Sequence, residues 1–229
     1  MTIDNCQLFC GGAMVNIINS EIEQYLRSLM PERPAFMMEM ERYAAENHVS
    51  IIPPEAARFL TFLVHVSQAE EVLEIGTAIA YSTIWLAWAV TPRDGHVTTI
   101  EINDRRARTA LKNIREAGLE DRITLIKGHA VDIVPQLRDN YDFIFIDAAK
   151  GQYSWFFEEL YPRLQPGGLL VSDNVLAGGT VPVPEETLRH RQKTAVRRLR
   201  EYLAMIMSHP NLETALIPIG DGIAVSVKK

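Results

Sequence analysis

Glu71-Val72-Leu73-Glu74-Ile75-Gly76-Thr77-Ala78-Ile79-Ala80-Tyr81-Ser82 is the stretch that decides the fold. An apolar run of strand length ends at a glycine, crosses small residues and opens a helix. Further short apolar runs follow at His96–Ile100, Ile123–Ile126, Tyr141–Ile146 and Gly168–Ser172, with amphipathic stretches of helical length between them. This alternation predicts an α/β fold, a doubly wound and mostly parallel sheet with helices on both faces. The unbroken run Phe143-Ile144-Phe145-Ile146 suits a strand buried on both sides. Leu212–Ile219 and Ile223–Val227 flank Gly220-Asp221-Gly222, which is hairpin chemistry. The sheet should therefore have seven strands and close with an antiparallel C-terminal edge.

Upstream of residue 71 the pattern is helical. Ile18, Ile22, Tyr25, Leu26 and Leu29 recur at helical spacing until Pro31 and Pro34. A second helix is expected over Ala35 to Glu46, with Phe36, Met37, Met40 and Tyr43 inward. A third follows Pro53-Pro54, with Phe59, Leu60, Leu63 and Val64 inward. Residues 1–13 read as a flexible extension and residues 14–229 as one domain, with N-terminal helices over 14–66 and the α/β core over 71–229.

Composition narrows the function classes. A chain of 229 residues, 47% apolar and 23% charged, is ordinary for a globular domain. Its net charge of −6 is not that of a dedicated nucleic-acid module, which is usually basic. Cys6 and Cys10 have no partner pair or histidine at zinc spacing and read as free thiols in a reducing cytosol. No apolar run is long enough to span a bilayer and no basic signal segment opens the chain, so a cytoplasmic, non-membrane protein is expected.

The turn after the first strand is a cradle for a nucleotide-like ligand. Gly76 lets a ligand approach the backbone, and the helix that follows offers free N–H groups. Ala78 and Ala80 break the G-x-G-x-x-G pattern of a dinucleotide site, and no Walker lysine is present. The acid Glu74, just before Gly76, suits an ammonium better than a phosphate. Any tight strand-to-helix turn can share this composition. Glu101 ends the second strand, where an acid accepts both hydroxyls of a ribose, or else caps a helix.

Asp147 ends the fourth strand, and Asp173-Asn174 end the fifth. In a doubly wound sheet both ends face one crevice. Two carboxylates and an amide are hard ligands that suit Mg²⁺, Mn²⁺ or Ca²⁺ and not Zn²⁺. Asp and Asn also cap ordinary turns, and spacing alone leaves both readings open. Lys150 lies just past Asp147; beside a cation a lysine can act as a base, and elsewhere it is a solvated side chain.

Glu74-Ile75-Gly76-Thr77-Ala78, Tyr81-Ser82, Ile146-Asp147-Ala148-Ala149-Lys150 and Ser172-Asp173-Asn174 resemble the metal-dependent O-methyltransferases of the catechol and caffeoyl-CoA type. The resemblance runs from about Met14 to the C-terminus. Phe145–Tyr153, Ser172–Leu176 and the stretch from His209-Pro210 to Ala224 are most similar to the bacterial tRNA 5-hydroxyuridine methyltransferases. The resemblance implies a Rossmann-like methyltransferase fold, S-adenosylmethionine as methyl donor, Mg²⁺ held by Asp147, Asp173 and Asn174, and a homodimer. It implies Lys150 as general base, with Asp147 also catalytic. It places Ser82, Glu101, Ala130 and Asp147 on the donor, with Ile52 closing over it and His129 near the adenine. The sequence departs from the family at Ala80, where Gly is usual, and at His129, where Asp is usual.

The implied acceptor is 5-hydroxyuridine at the tRNA wobble position, which would become 5-methoxyuridine. The alternative is a small catechol or caffeoyl-CoA-like acceptor. Arg189, Arg191, Lys193, Arg197, Arg198 and Arg200, with His190 among them, could grip the phosphates of an anticodon loop, or could be a solvated helix face. Two further rivals are a catalytically silent adenosyl-binding regulator, opposed by the intact Asp147, Lys150, Asp173 and Asn174, and a dinucleotide oxidoreductase, opposed by the missing glycines.

Overall fold

A computed structural model describes residue 17 and residues 19–229. Cys6, Cys10, the extension over 1–13 and the helical start at Met14 and Ile18 lie outside the described residues. The elements run α1 (Ser20–Ser28), α2 (Ala35–Glu46), α3 (Pro54–Ser67), β1 (Glu71–Ile75), α4 (Tyr81–Val90), β2 (His96–Glu101), α5 (Asp104–Glu116) and β3 (Ile123–Lys127). There follow α6 (Ala130–Ile133), β4 (Tyr141–Ile146), α7 (Tyr153–Leu160), β5 (Leu164–Ser172), α8 (His190–Ser208), β6 (Leu212–Ile217) and β7 (Ile223–Lys228).

The seven strands form one sheet in the order β3-β2-β1-β4-β5-β7-β6. β1 to β5 pair in parallel, and β7 enters antiparallel between β5 and β6. The expected hairpin closes that end of the sheet, with β6 outermost. The order reverses between β1 and β4, which opens a crevice at the carboxyl ends of the central strands.

Alternation along β4 shows how the core divides. Phe143 and Phe145 point into an apolar layer with Leu60, Val64, Ile84 and Val171. Ile144 and Ile146 point into the opposite layer with Phe156, Leu160, Leu199 and Ile206. A period of two sends successive side chains to opposite faces, and both faces are covered here. α4 is enclosed almost all round, with only Trp88 partly exposed, which explains why its sequence is apolar on every side.

One strand start differs from the sequence expectation, and the first helix packs unlike the next two. β5 begins at Leu164, ahead of the apolar run, with a register shift between Tyr141 and Phe143. Gln165, Pro166 and Gly167 are exposed there, so hydropathy conceals this part of the strand. α2 and α3 bury Met37, Met40, Leu60 and Val64 as expected, whereas the apolar stripe of α1 does not turn inward. Tyr25 is 64% and Leu29 63% exposed, and Ile22 and Leu26 are exposed beside them. Arg27 instead ties α1 to α3 by a two-pronged ion pair with Glu55. No helix among the described residues is long and apolar enough to cross a membrane.

Candidate active site

The tips of β1 and β4 meet at Gly76 and Asp147. Asp147 N donates to Ile75 O at 2.9 Å. Gly76 has φ +108°, and a Cβ built on it would lie 2.1 Å from the Asp147 carbonyl oxygen. Glycine is therefore required by packing between the strand tips. Beyond it the chain takes left-handed conformations at Ala78 (φ 48°) and Ala80 (φ 69°), which cost about 1 kcal/mol each for a residue with a Cβ.

A cavity of about 400 Å³ lies over these tips, lined by Gly76, Glu101, Arg106, His129, Ala130 and Asp147, among others. Glu101 accepts from Ala78 N at 2.8 Å and from Asn103 N at 2.7 Å, one bond on each oxygen. A carboxylate has lone pairs to spare after two such bonds, enough for a vicinal diol. His129 caps α6, its Nδ1 accepting from Val131 N at 3.1 Å. That bond assigns the proton to Nε2 in the neutral ring.

Glu74 and Ser82 lie beneath this cavity and are not in its wall. Glu74 is fully buried and accepts hydroxyl hydrogen bonds from Ser82 at 2.5 Å, from Thr99 at 2.7 Å and from Thr83. Burial pushes its carboxyl up to about 7, against the pull of those hydroxyls. Both residues thus brace the turn from below in this structure.

A second cavity, about 280 Å³, lies on the other side of Asp147. Its wall includes Ile51, Ile52, Pro53, Asp173, Asn174 and Asp221. Ile52 therefore faces this cavity and not the first. Asp147 belongs to both, so two ligands would meet across one side chain.

Asp173 is held by its neighbours. Its N–H donates to Ile146 O at 3.0 Å, and Tyr153 Oη donates to its carbonyl at 2.9 Å. Asn174 sits at φ 58° and donates its N–H to Asp173 Oδ1 at 2.7 Å. Asn174 Nδ2 donates to Asp147 Oδ1 at 3.1 Å. Burial raises the carboxyls of Asp147 and Asp173 above their ordinary range, and the charge of each neighbouring acid adds to this for Asp173. Lys150 opposes the shift in both. It is half-buried on the turn Lys150–Gln152 and lines neither cavity.

Asp173 is buried and Asp147 partly so, and two such acids, each disfavouring its own charge, would be stabilised by a cation between them. Among the described residues no three His, Cys, Asp or Glu side chains are placed to hold a metal. The donor set here is two carboxylates and an amide, which a hard cation completes with ligand or solvent oxygens. The Asn174 amide presents oxygen to such a cation after a half-turn of its terminal torsion. The residues fit the ion that the sequence suggests.

The cationic cluster divides. Arg200 donates to Val181 O at 2.9 Å and to Val183 O, pinning the loop after Asn174. Arg198 donates to Gly151 O at 3.1 Å, and Arg197 lies 3.9 Å from Glu201. Arg189 and Arg191 are exposed, Lys193 is half-buried, and none of the three has an ion-pair partner among the described residues. The sequence reading passed over Arg105 and Arg106, both exposed at the start of α5, with Arg106 in the wall of the larger cavity. It also read Asp221 only as turn chemistry. No motif separates these from ordinary surface charge or hairpin residues.

Comparisons with known proteins match the family and the fold. A family model described as O-methyltransferase matches residues 27–229. The chain is 32% identical over 227 residues to a catechol O-methyltransferase of Niastella koreensis, covering 94% of this chain and 100% of the relative. It is 30% identical over 210 residues to caffeoyl-CoA O-methyltransferase 2 of Populus trichocarpa, covering 86% and 83%. An O-methyltransferase structure from Bacillus cereus, in complex with SAH, aligns with a TM-score of 0.81 at 29% identity, over 91% of this chain and 97% of that one. TomG of Streptomyces achromogenes, in complex with SAM, aligns with a TM-score of 0.81 at 27% identity, over 91% and 96%.

Glu74 gives a pH test of the brace. Folded, it keeps its proton to about pH 7; unfolded, it ionises near the ordinary carboxylate value. The folded chain holds the extra proton between these values, so this contribution to stability falls as pH rises through the window and levels off above it. In urea titrations, Glu74→Gln should gain on the wild type by on the order of 1–3 kcal/mol between about pH 5 and pH 8. A difference that does not vary with pH would rule out a raised carboxyl.

Proposed function

Because the chain belongs to the O-methyltransferase family of the catechol and caffeoyl-CoA type and is an S-adenosylmethionine-dependent enzyme, we propose that it methylates 5-hydroxyuridine at the tRNA wobble position, with Mg²⁺. The observation that carries the chemistry is the pair of cavities sharing Asp147. A methyl donor in the larger and an acceptor in the smaller would face each other across it, which is the positioning that methyl transfer needs.

Asp147, Asp173 and Asn174 would hold the cation. When bound, Mg²⁺ supplies Lewis acidity that lowers the pKa of the acceptor hydroxyl. Glu101 takes the donor's ribose hydroxyls, and His129 and Ala130 flank its base. Lys150, on the turn that follows Asp147, would accept the hydroxyl proton. The acceptor oxygen then forms its bond to the methyl carbon as the carbon–sulfur bond breaks, and S-adenosylhomocysteine leaves as a neutral thioether. Ile51, Ile52 and Pro53 keep water from the transfer path.

What supports an RNA acceptor is charge placement on a chain of net charge −6. Exposed cations without ion-pair partners stand at the start of α8, which follows the loop leaving Asn174, and at the start of α5 beside the donor cavity. 5-Hydroxyuracil presents its hydroxyl and 4-carbonyl side by side, as catechol presents two hydroxyls. The base must leave the stack to enter. A second reading, a small catechol or caffeoyl-CoA-like acceptor, is favoured by the acidic balance and by what the named relatives act on. The homodimer belongs to the same proposal, supported by the uncovered stripe of Ile22, Tyr25, Leu26 and Leu29 on α1.

Labelled donor with Mg²⁺ and either bulk tRNA or a catechol panel separates the two acceptors. Label is expected in tRNA, and label confined to catechols would overturn that reading. Asp173→Ala should lose turnover by at least about a thousandfold while donor affinity, by calorimetry, stays within about threefold. Full activity of that variant in chelator would remove the metal from the scheme. Arg191→Glu with Arg197→Glu should weaken tRNA binding and lower its salt slope by about 1–2; an unchanged slope would move the RNA off α8. Leu26→Glu with Leu29→Glu should yield monomers in light scattering, and a dimer that persists would place the interface elsewhere.

A further inference from the structure

The hairpin turn Gly220-Asp221-Gly222 has no part in the scheme above, yet it forms a wall of the smaller cavity. It is packed on both sides. Leu176 N donates to Asp221 O at 2.9 Å and Val175 N to Gly222 O at 2.9 Å, tying the turn to the segment that leaves Asn174. Gly222 has φ +87°, and a Cβ there would strike the Leu176 side chain at 2.4 Å. A Cβ on Gly220 would lie 3.2 Å from Pro53. The backbone of Asp221 is thus fixed relative to the metal-binding acids.

Its side chain turns toward the cavity. Oδ1 lies 3.8 Å from where a Cβ on Gly178 would stand, and Gly178 is also in the cavity wall. No hydrogen bond or ion pair engages the carboxylate among the described residues. The wall holds one more acid, Glu23, and one hydroxyl, Ser50. Asp221 shares the wall with Asp147, Asp173 and Asn174, the side chains that would face the reacting edge of an acceptor. A carboxylate can only accept hydrogen bonds. A ring seated against it without a donor would strip its water at a cost.

We propose that Asp221 determines acceptor specificity by accepting a hydrogen bond from a ring N–H that adjoins the oxygens presented to Asp147 and Asp173. The inference rests on the uracil reading of the acceptor. 5-Hydroxyuracil carries N3–H next to its 4-carbonyl; catechol has a C–H at the corresponding edge. The same carboxylate that receives the uracil ring therefore disfavours the benzene ring.

The test uses the full chain with Mg²⁺ and donor, as wild type, Asp221→Ala and Asp221→Asn. Acceptors are an anticodon stem-loop carrying 5-hydroxyuridine, the same stem-loop with N3-methyl-5-hydroxyuridine, and catechol. Affinity for each stem-loop is measured alongside kcat and KM, and donor affinity confirms that the variants are folded. The wild type should prefer the N–H stem-loop over its N3-methyl analogue by about tenfold to a hundredfold, in KM and Kd more than in kcat. Asp221→Ala should shrink that preference to within about threefold and move the 5-hydroxyuridine-to-catechol ratio toward catechol. Asp221→Asn should keep part of the preference, because its amide oxygen still accepts. If Asp221→Ala slows all acceptors equally and the N3-methyl preference survives, the carboxylate acts only through its charge and the proposal is overturned. A wild type that methylates catechol and leaves 5-hydroxyuridine untouched would overturn the uracil reading itself, and this role with it. Wild-type data alone tell the two failures apart.

Discussion

The close approach of two strand tips governs the site. Gly76 passes so near the Asp147 carbonyl that no side chain fits between them. That contact brings the turn after β1 and the acid after β4 into one wall, with Asp147 facing a cavity on either side. A sheet whose order reverses between β1 and β4 supplies the crevice, and a residue without a Cβ allows it to close. Methyl transfer demands that two bound molecules be aligned to within fractions of an ångström. Here one side chain, Asp147, lines both cavities.

The acids around the crevice show how burial assigns different roles to one chemical group. Glu74 is enclosed and receives hydroxyls from Ser82, Thr83 and Thr99, so its bonds are spent inside the fold. Glu101 takes one backbone N–H on each oxygen and keeps its remaining lone pairs toward the cavity. Asp147 and Asp173 have few donors, and burial raises both carboxyls, with the charge of Asp147 adding to this for Asp173. Asp221, at the mouth, has water alone to lose. An unpaired buried charge is costly, so these acids differ in how much of that cost the fold itself offsets.

The N-terminal helices contribute to the site from outside the sheet. Tyr81, at the start of α4, donates its hydroxyl to Glu41 on α2 at 2.7 Å, and Arg33 grips the same carboxylate with two bonds. Such half-exposed ion pairs stabilise only modestly, and the apolar contacts of Met37, Leu60 and Val64 dominate the attachment. Their placement matters more than their strength. They set the segment Ile51–Pro53 over the smaller cavity, opposite the acids at the strand ends.

The amino-acid sequence by itself determined the alternation of strands and helices, the buried character of Phe143–Ile146 and the strand-end positions of Glu101, Asp147 and Asp173. These depend on local period and on short apolar runs, which are written in consecutive residues. The start of β5 stayed hidden, because exposed Gln165, Pro166 and Gly167 carry no apolar signal. Tertiary structure alone decided that Glu74 and Ser82 sit under the larger cavity, that Ile52 faces the smaller one, and that Arg198 and Arg200 are occupied by loop carbonyls. It alone brought Asp221 to the wall of the smaller cavity and left Ile22, Tyr25, Leu26 and Leu29 exposed. Each of these is a matter of which distant surface a side chain meets, and no pattern within a single segment encodes its partner across the fold.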